Sequence, residues 1–89
     1  MSASRTVAIT NRRGLHARAS AKFVTLASTL PCEVKVRKDD GEVTGTSIMG
    51  LMMLGAAMGD EITIRADGDG AEQAAAVLCD LVEAKFGED

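Results

Sequence analysis

Aromatic side chains are nearly missing from this chain. Its 89 residues hold two, both Phe, with no Trp and no Tyr. The interior must therefore be aliphatic, and the bases of a nucleic-acid strand would find few rings to stack on. With a formal net charge of −3, that argues against a nucleic-acid partner, which would need steeply salt-dependent binding to be reinstated. No apolar run approaches the roughly 18 residues of a transmembrane helix. The N-terminal stretch lacks the apolar core of a secretory signal. Neither membrane insertion nor export is expected. Cysteine is scarce as well: Cys32 and Cys79 are far apart and have no metal-ligand spacing. They read as buried thiols of a reducing cytosol, which makes the expected location cytoplasmic. There is one histidine, His16, with no acid near it in sequence and no ligand cluster around it. A catalytic triad and a metal enzyme are both unsupported, and no metal or cofactor is expected.

Acids are also missing from one end. Residues 1–32 carry five bases (Arg5, Arg12, Arg13, Arg18 and Lys22) and no acid; all thirteen acids fall in the remainder. His16 is thus set in a positive field that would steer a phosphate or an acidic partner toward it.

The hydropathy pattern specifies an order of elements. Arg5–Thr10 alternates as a strand with Val7 and Ile9 on one face. A loop over residues 11–15 leads to a helix from about His16 to Ser28, with Ala19, Phe23, Leu26, Ala27 and Leu30 at helical spacing. Leu30-Pro31 ends it. Cys32–Lys38 alternates as a strand buried on one face. Asp39-Asp40-Gly41 turns the chain into a short strand over Glu42–Thr44. A second helix spans Ser47 to about Leu54, with Gly55 as a plausible C-cap. Glu61–Ala66 is the last strand. Asp67–Gly70 is a turn that resembles half a calcium loop without its later ligands or closing Glu. A closing helix runs from Ala71 to about Phe86, with Lys85 at the edge of its apolar stripe. The tail 87–89 is expected to fray. The order is β-α-β-β-α-β-α. One apolar face per strand implies an α+β two-layer open-faced sandwich: a four-stranded antiparallel sheet covered on one face by three helices. Residues 1–89 have room for one domain only, and a monomer is expected.

Two stretches carry chemistry. In the first, Gly14 lets the chain turn tightly and sets His16 at the mouth of a helix. There the backbone N–H groups are unpaired, and the dipole suits an anion. The same positive end disfavours imidazolium, so a neutral, nucleophilic ring is expected. With Arg18 two residues on, this is a reasonable device for accepting a phosphoryl group. The alternative is an ordinary polar residue at a helix start. In the second stretch, Ser47-Ile48-Met49-Gly50-Leu51-Met52-Met53-Leu54 holds more apolar side chains than a short helix can bury. Leu51 and Leu54 can face the sheet, leaving Ile48, Met49 and Met52 on a neighbouring arc. They are either adaptable core filler or an exposed patch that meets partners. Ser47 reads first as a helix cap. As a phosphorylation site it would place about −2 charge in that patch.

Gly14-Leu15-His16-Ala17-Arg18-Ala19-Ser20, followed about thirty residues later by Thr46-Ser47-Ile48-Met49-Gly50-Leu51 with Leu54-Gly55, resembles HPr. HPr is the histidine-containing phosphocarrier family of the bacterial phosphoenolpyruvate-dependent phosphotransferase system. The resemblance covers nearly the whole chain. It implies that His16 carries a phosphoryl group on Nδ1, received from phospho-enzyme I and passed to enzyme IIA-type acceptors. The amides of Ala17 and Arg18 would hold the phosphate and the Arg18 side chain would balance its charge. Ser47 would match the serine modified by HPr kinase/phosphorylase, and Ile48, Met49 and Met52 the patch that docks enzyme I and the IIA proteins. Such a protein is a stoichiometric carrier rather than a turnover enzyme. Ala19 stands where many relatives have Pro, and Arg12 and Arg13 add charge before the glycine. The Gly14–Lys22 wording is also similar to the nitrogen-related branch, NPr. A reading of a different class is a regulatory binding module controlled at Ser47 without phosphohistidine transfer.

Overall fold

The strands do not lie in the sheet in the order in which the chain makes them. The computed structural model describes residues 1–88 and runs β1 (Ser2–Ala8), α1 (Ala17–Ala27), β2 (Cys32–Lys38), β3 (Gly41–Thr44), α2 (Ile48–Met53), β4 (Glu61–Gly68) and α3 (Ala71–Glu83). The sheet order is β1-β4-β2-β3 and every neighbouring pair is antiparallel. Each helix connection therefore steps over one strand. The outcome is the α+β sandwich expected from the sequence, with three helices on one face and the other face open.

The alternation explains which face the helices cover. Val7, Val34, Val36, Ile62, Ile64 and Ala66 are buried beneath them. From above, α1 contributes Ala19, Phe23 and Ala27, and α3 contributes Ala71, Ala74, Ala75, Leu78, Cys79 and Val82. Those α3 positions fall at offsets of 3, 4, 7, 8 and 11, a single helical face. Helix α2 contributes only Leu51. No methionine is in this core, which is built from aliphatic residues, both Phe rings and Cys79. Cys32 is half-buried rather than buried, because it opens β2 at the end of the sheet, opposite Gly68. On the open face Thr6 and Thr63 pair through their hydroxyls at 3.0 Å.

Boundaries move where pairing or packing overrides the pattern. Strand β1 begins at Ser2, not Arg5, because Ser2 and Ala3 pair with Asp67 and Ala66. Strand β4 accordingly runs to Gly68, so Asp67 and Gly68 are strand rather than turn. Residues 2–4 are small and mostly polar, and carry no alternation to reveal this. Strand β1 stops at Ala8, yet Ile9 stays buried and exchanges backbone bonds of 2.8 Å with Asp60 and Gly59. Gly41 belongs to β3, leaving a two-residue turn, Asp39-Asp40. His16 and Ser28 are the caps of α1 rather than its first and last turns. Leu54 caps α2, and Gly55 follows it at φ +67°.

The largest difference is at the C-terminus. Helix α3 ends at Glu83, three residues before Phe86. Lys85 and Phe86 then take left-handed backbone angles, φ 57° and 55°, which side chains other than glycine rarely adopt. The turn is held by two contacts. The Phe86 ring is fully buried, and Lys22 Nζ donates to the Phe86 carbonyl at 2.7 Å. Burial of such a ring stabilises by about 1.5–3 kcal/mol, which together with the Lys22 bond works against a strain of about 1–3 kcal/mol at each of the two residues. Lys85 is exposed and covers no stripe. Glu88 is held rather than frayed, as described below; Asp89 lies outside the described residues.

Ser47 is the N-cap of α2, its Oγ accepting the Gly50 N–H at 3.0 Å. Replacing it by alanine orphans that donor. Ser47→Ala is expected to cost about 1 kcal/mol in a urea unfolding curve. A change below about 0.3 kcal/mol would show that the cap does not hold α2.

Candidate functional site

Gly14, at φ +61°, makes the turn into the site. A Cβ there would lie 2.3 Å from the Ala56 carbonyl oxygen, so the position needs glycine both for its backbone angle and for space. The Leu15 N–H donates to that same carbonyl at 3.0 Å. This ties the loop before α1 to the loop after α2. Ser20 Oγ donates to the Leu15 carbonyl at 3.1 Å, and Ser20 N–H to the His16 carbonyl at 2.9 Å. His16 is thereby fixed as the N-cap of α1 with extended backbone, φ −71° and ψ 178°.

Each ring nitrogen of His16 has its own partner. Nδ1 accepts the Arg18 backbone N–H at 3.3 Å. Nε2 lies 3.0 Å from both carboxylate oxygens of Glu88. An acceptor cannot carry a proton, and a carboxylate calls for one. The contacts therefore assign the proton to Nε2 and leave the lone pair on Nδ1, among the amides of the first turn. This ring is N-cap, nucleophile candidate and hydrogen-bond donor at once. Its side chain is about 18% exposed.

Glu88 corrects the expectation that no acid stands near His16. It comes from 72 residues away, brought round by the left-handed turn at Lys85-Phe86. Its Oε1 also accepts from Asn11 Nδ2 at 2.8 Å, and Asn11, fully buried, donates to the Gly14 carbonyl at 2.9 Å. The Asn11 amide holds the Glu88 carboxyl below the usual glutamate range. The His16 ring adds to this, with a smaller contribution from the Arg18 charge. Arg18 is therefore within electrostatic reach of the same carboxylate. Lys22, counted from sequence as part of the positive field, is instead engaged with the Phe86 carbonyl.

The sign of the Glu88 effect is fixed by its direction. A carboxyl more acidic folded than unfolded stabilises the fold fully above its unfolded value, roughly 4.3. That contribution is lost as pH falls through the lower folded value. Glu88→Gln keeps an oxygen acceptor and removes the titration. Thermal melts from pH 5 to pH 3 should show the parent losing its margin over Glu88→Gln as the pH drops. A constant difference across that range would remove the link.

The second stretch lies on α2. Leu51 is buried, whereas Ile48, Met49 and Met52 are exposed, at 41, 68 and 41%. Met53, not singled out from sequence, is the most exposed of the group at 79%. Its spacing of four from Met49 could have flagged it. Helix α2 packs against α1, so the patch stands beside the helix that starts at His16. Ser47 borders it, half-buried and in use as a cap. Asn11 and Glu88 were missed by sequence reasoning as well. Neither carries a local signal, since one belongs to a loop and the other to a terminus.

A histidine at a helix mouth, its Nδ1 lone pair turned to a first-turn amide, stands beside an exposed apolar helix. Residues 3–84 match the family model of the PTS HPr component phosphorylation site. The phosphocarrier protein HPr of Neisseria meningitidis is 50% identical over 82 residues, 92% of each chain. The crystal structure of HPr-C-His from Thermoanaerobacter tengcongensis superposes with a TM-score of 0.92 at 44% identity, covering 98% of each chain. A crystal structure of an HPr dimer from the same organism superposes at 0.77 with 45% identity, covering 92% of this chain and 94% of that one. Fold, motif order and sequence agree along almost the full length, and the chain belongs to the HPr family of phosphocarrier proteins of the phosphotransferase system.

Proposed function

We propose that His16 accepts a phosphoryl group on Nδ1 from phospho-enzyme I, charged by phosphoenolpyruvate, and passes it to enzyme IIA-type acceptors. The observation that carries this is the division of labour on the imidazole. Glu88 occupies the Nε2 side, while the lone pair of Nδ1 is left at the start of α1. In the transfer, that lone pair forms the new N–P bond as the donor's N–P bond breaks and its electron pair returns to the donor histidine. The Arg18 N–H loses its acceptor at that moment and can turn to a phosphate oxygen, with the Ala17 N–H beside it. The Arg18 guanidinium balances the added charge. The protein contributes positioning and electrostatics, which is what phosphoryl transfer chiefly asks for.

The test is to mix the protein with phosphoenolpyruvate and a bacterial enzyme I and follow the mass. One phosphate that is labile in acid, stable in base and absent from His16→Ala supports the reading. No uptake from several enzyme I preparations would defeat it. The second reading, a Ser47-gated binding module, would then stand, supported by the exposed patch beside a capping serine. Arg18→Ala is expected to slow transfer roughly ten- to a hundredfold with an unchanged melting curve. Equal rates would take Arg18 out of the mechanism.

Ile48, Met49 and Met52 are proposed as the docking contacts. Ser47 is the proposed target of HPr kinase/phosphorylase: a phosphate there adds about −2 charge beside an apolar surface and opposes docking. Residues 1–89 are taken to act as one cytoplasmic domain, and as a monomer. Sedimentation would correct the monomer if this chain pairs as the thermophile dimer does.

A further inference from the structure

We propose that Met49, Met52 and Met53 form an oxidation-sensitive site, at which peroxide switches off docking without unfolding the protein. The inference rests on the docking role just proposed for α2.

The chain has five methionines. None is in the core, and every one is at least 41% exposed. Met1 is at the terminus. Met49, Met52 and Met53 are on α2, and Met58, 58% exposed, is in the loop that follows. A six-residue helix with one buried side chain has thus placed three thioethers in solvent. Met49 and Met53 are four residues apart and Met49 and Met52 three, so they form one surface with Ile48. If these residues were filling the core, oxidation would unfold it. Because they are outside it, oxidation changes the surface alone.

The chemistry needs hydrogen peroxide and nothing else. A sulfur lone pair attacks one peroxide oxygen, and the S–O bond forms as the O–O bond breaks. Sulfur is oxidised by two electrons, and the displaced hydroxide takes the proton from the sulfur-bound oxygen and leaves as water. A soft apolar thioether becomes a polar sulfoxide, a lesion that disrupts methionine-rich interfaces and that sulfoxide reductases reverse. Burying that sulfoxide in an apolar contact without a partner is penalised.

The protein is treated with hydrogen peroxide, quenched with catalase and reduced with dithiothreitol, which returns reversibly oxidised Cys32 and Cys79 to thiols but leaves sulfoxides. Added oxygens are counted by mass and placed by peptide mapping. Phosphorylation by enzyme I and phosphoenolpyruvate is then timed at low protein concentration. The treated parent is expected to react about tenfold more slowly, keep its melting midpoint and recover with methionine sulfoxide reductases A and B. In the triple variant Met49→Leu/Met52→Leu/Met53→Leu, the treated-to-untreated rate ratio should stay near one, whatever its starting rate. Met58→Leu should remain as sensitive as the parent. Undiminished transfer in a parent oxidised at all three positions overturns the proposal, as does a lost melting transition. Sensitivity that persists in the triple variant overturns it too. An untreated parent that takes no phosphate is a different failure, seen before any peroxide is added. It defeats the carrier reading and this inference with it.

Discussion

His16→Ala is expected to leave a folded protein that takes up no phosphoryl group. The loss is complete rather than graded because His16 is the only histidine in the chain. No second imidazole can accept from a phosphohistidine donor. The fold survives because little of it hangs on the ring. The variant loses a capping contact of 3.3 Å to the Arg18 N–H, a change that typically costs about 1 kcal/mol. Glu88 loses one donor but keeps Asn11 at 2.8 Å, and its side chain is about 22% exposed, so water can replace the ring. A loss of about 1–2 kcal/mol is small against the 5–15 kcal/mol of a typical domain. Mass spectrometry after incubation with enzyme I and phosphoenolpyruvate reads the first half of the expectation, and a urea curve reads the second. Base-stable, acid-labile phosphate on the variant would place the acceptor elsewhere. A variant that no longer melts cooperatively would show the ring to be structural.

Phe86→Ala should be among the most destabilising single changes in the chain, at about 3–5 kcal/mol. Its ring is fully buried although it stands beyond the last α-helix, on backbone held at φ 55°. Ring burial is the larger of the two contacts that hold that turn, so truncation empties a core position and leaves the Lys22 bond alone against the left-handed strain. For a domain of this size the melting midpoint should fall by more than about 12 °C. The same change also reaches the site. With the turn released, Lys22 loses the Phe86 carbonyl and Glu88 leaves His16. The acid-side stability response assigned to Glu88 should then vanish. Phe23→Ala empties an equally buried position within α1 and should cost a similar amount, but it leaves the tail turn and its pH response in place. If Phe86→Ala cost less than about 1 kcal/mol, or the two variants responded alike to acid, the tail would not be held as described.

Sequence alone determined the elements that repeat a simple period. The alternation of Val34 and Val36 and of Ile62, Ile64 and Ala66 identified strands and their buried face. The spacing of Ala19, Phe23 and Ala27 identified α1. A side chain that alternates or recurs every three to four residues reports its own burial locally. Gly14 and Ser47 were legible for the same reason, since a left-handed turn and a helix cap are short-range requirements. His16 and Arg18 were legible because a helix mouth is a local structure.

Only the tertiary structure decided the rest, and in each case the partner is far away along the chain. Strand β1 reaches back to Ser2 because β4 is there to pair with it, not because Ser2-Ala3-Ser4 prefers a strand. The methionines of α2 could have been core or surface, since composition does not distinguish them. The remaining core was already filled by other side chains, and they were left in solvent. The sequence suggested a C-terminal helix carried to Phe86 and a loose tail. Burying the Phe86 ring and bonding its carbonyl to Lys22 was worth more than one more helical turn. That choice brought Glu88 to Nε2 of His16 and left the lone pair on Nδ1. The sequence names the histidine; a contact across 72 residues decides which of its nitrogens holds the proton and which keeps the lone pair.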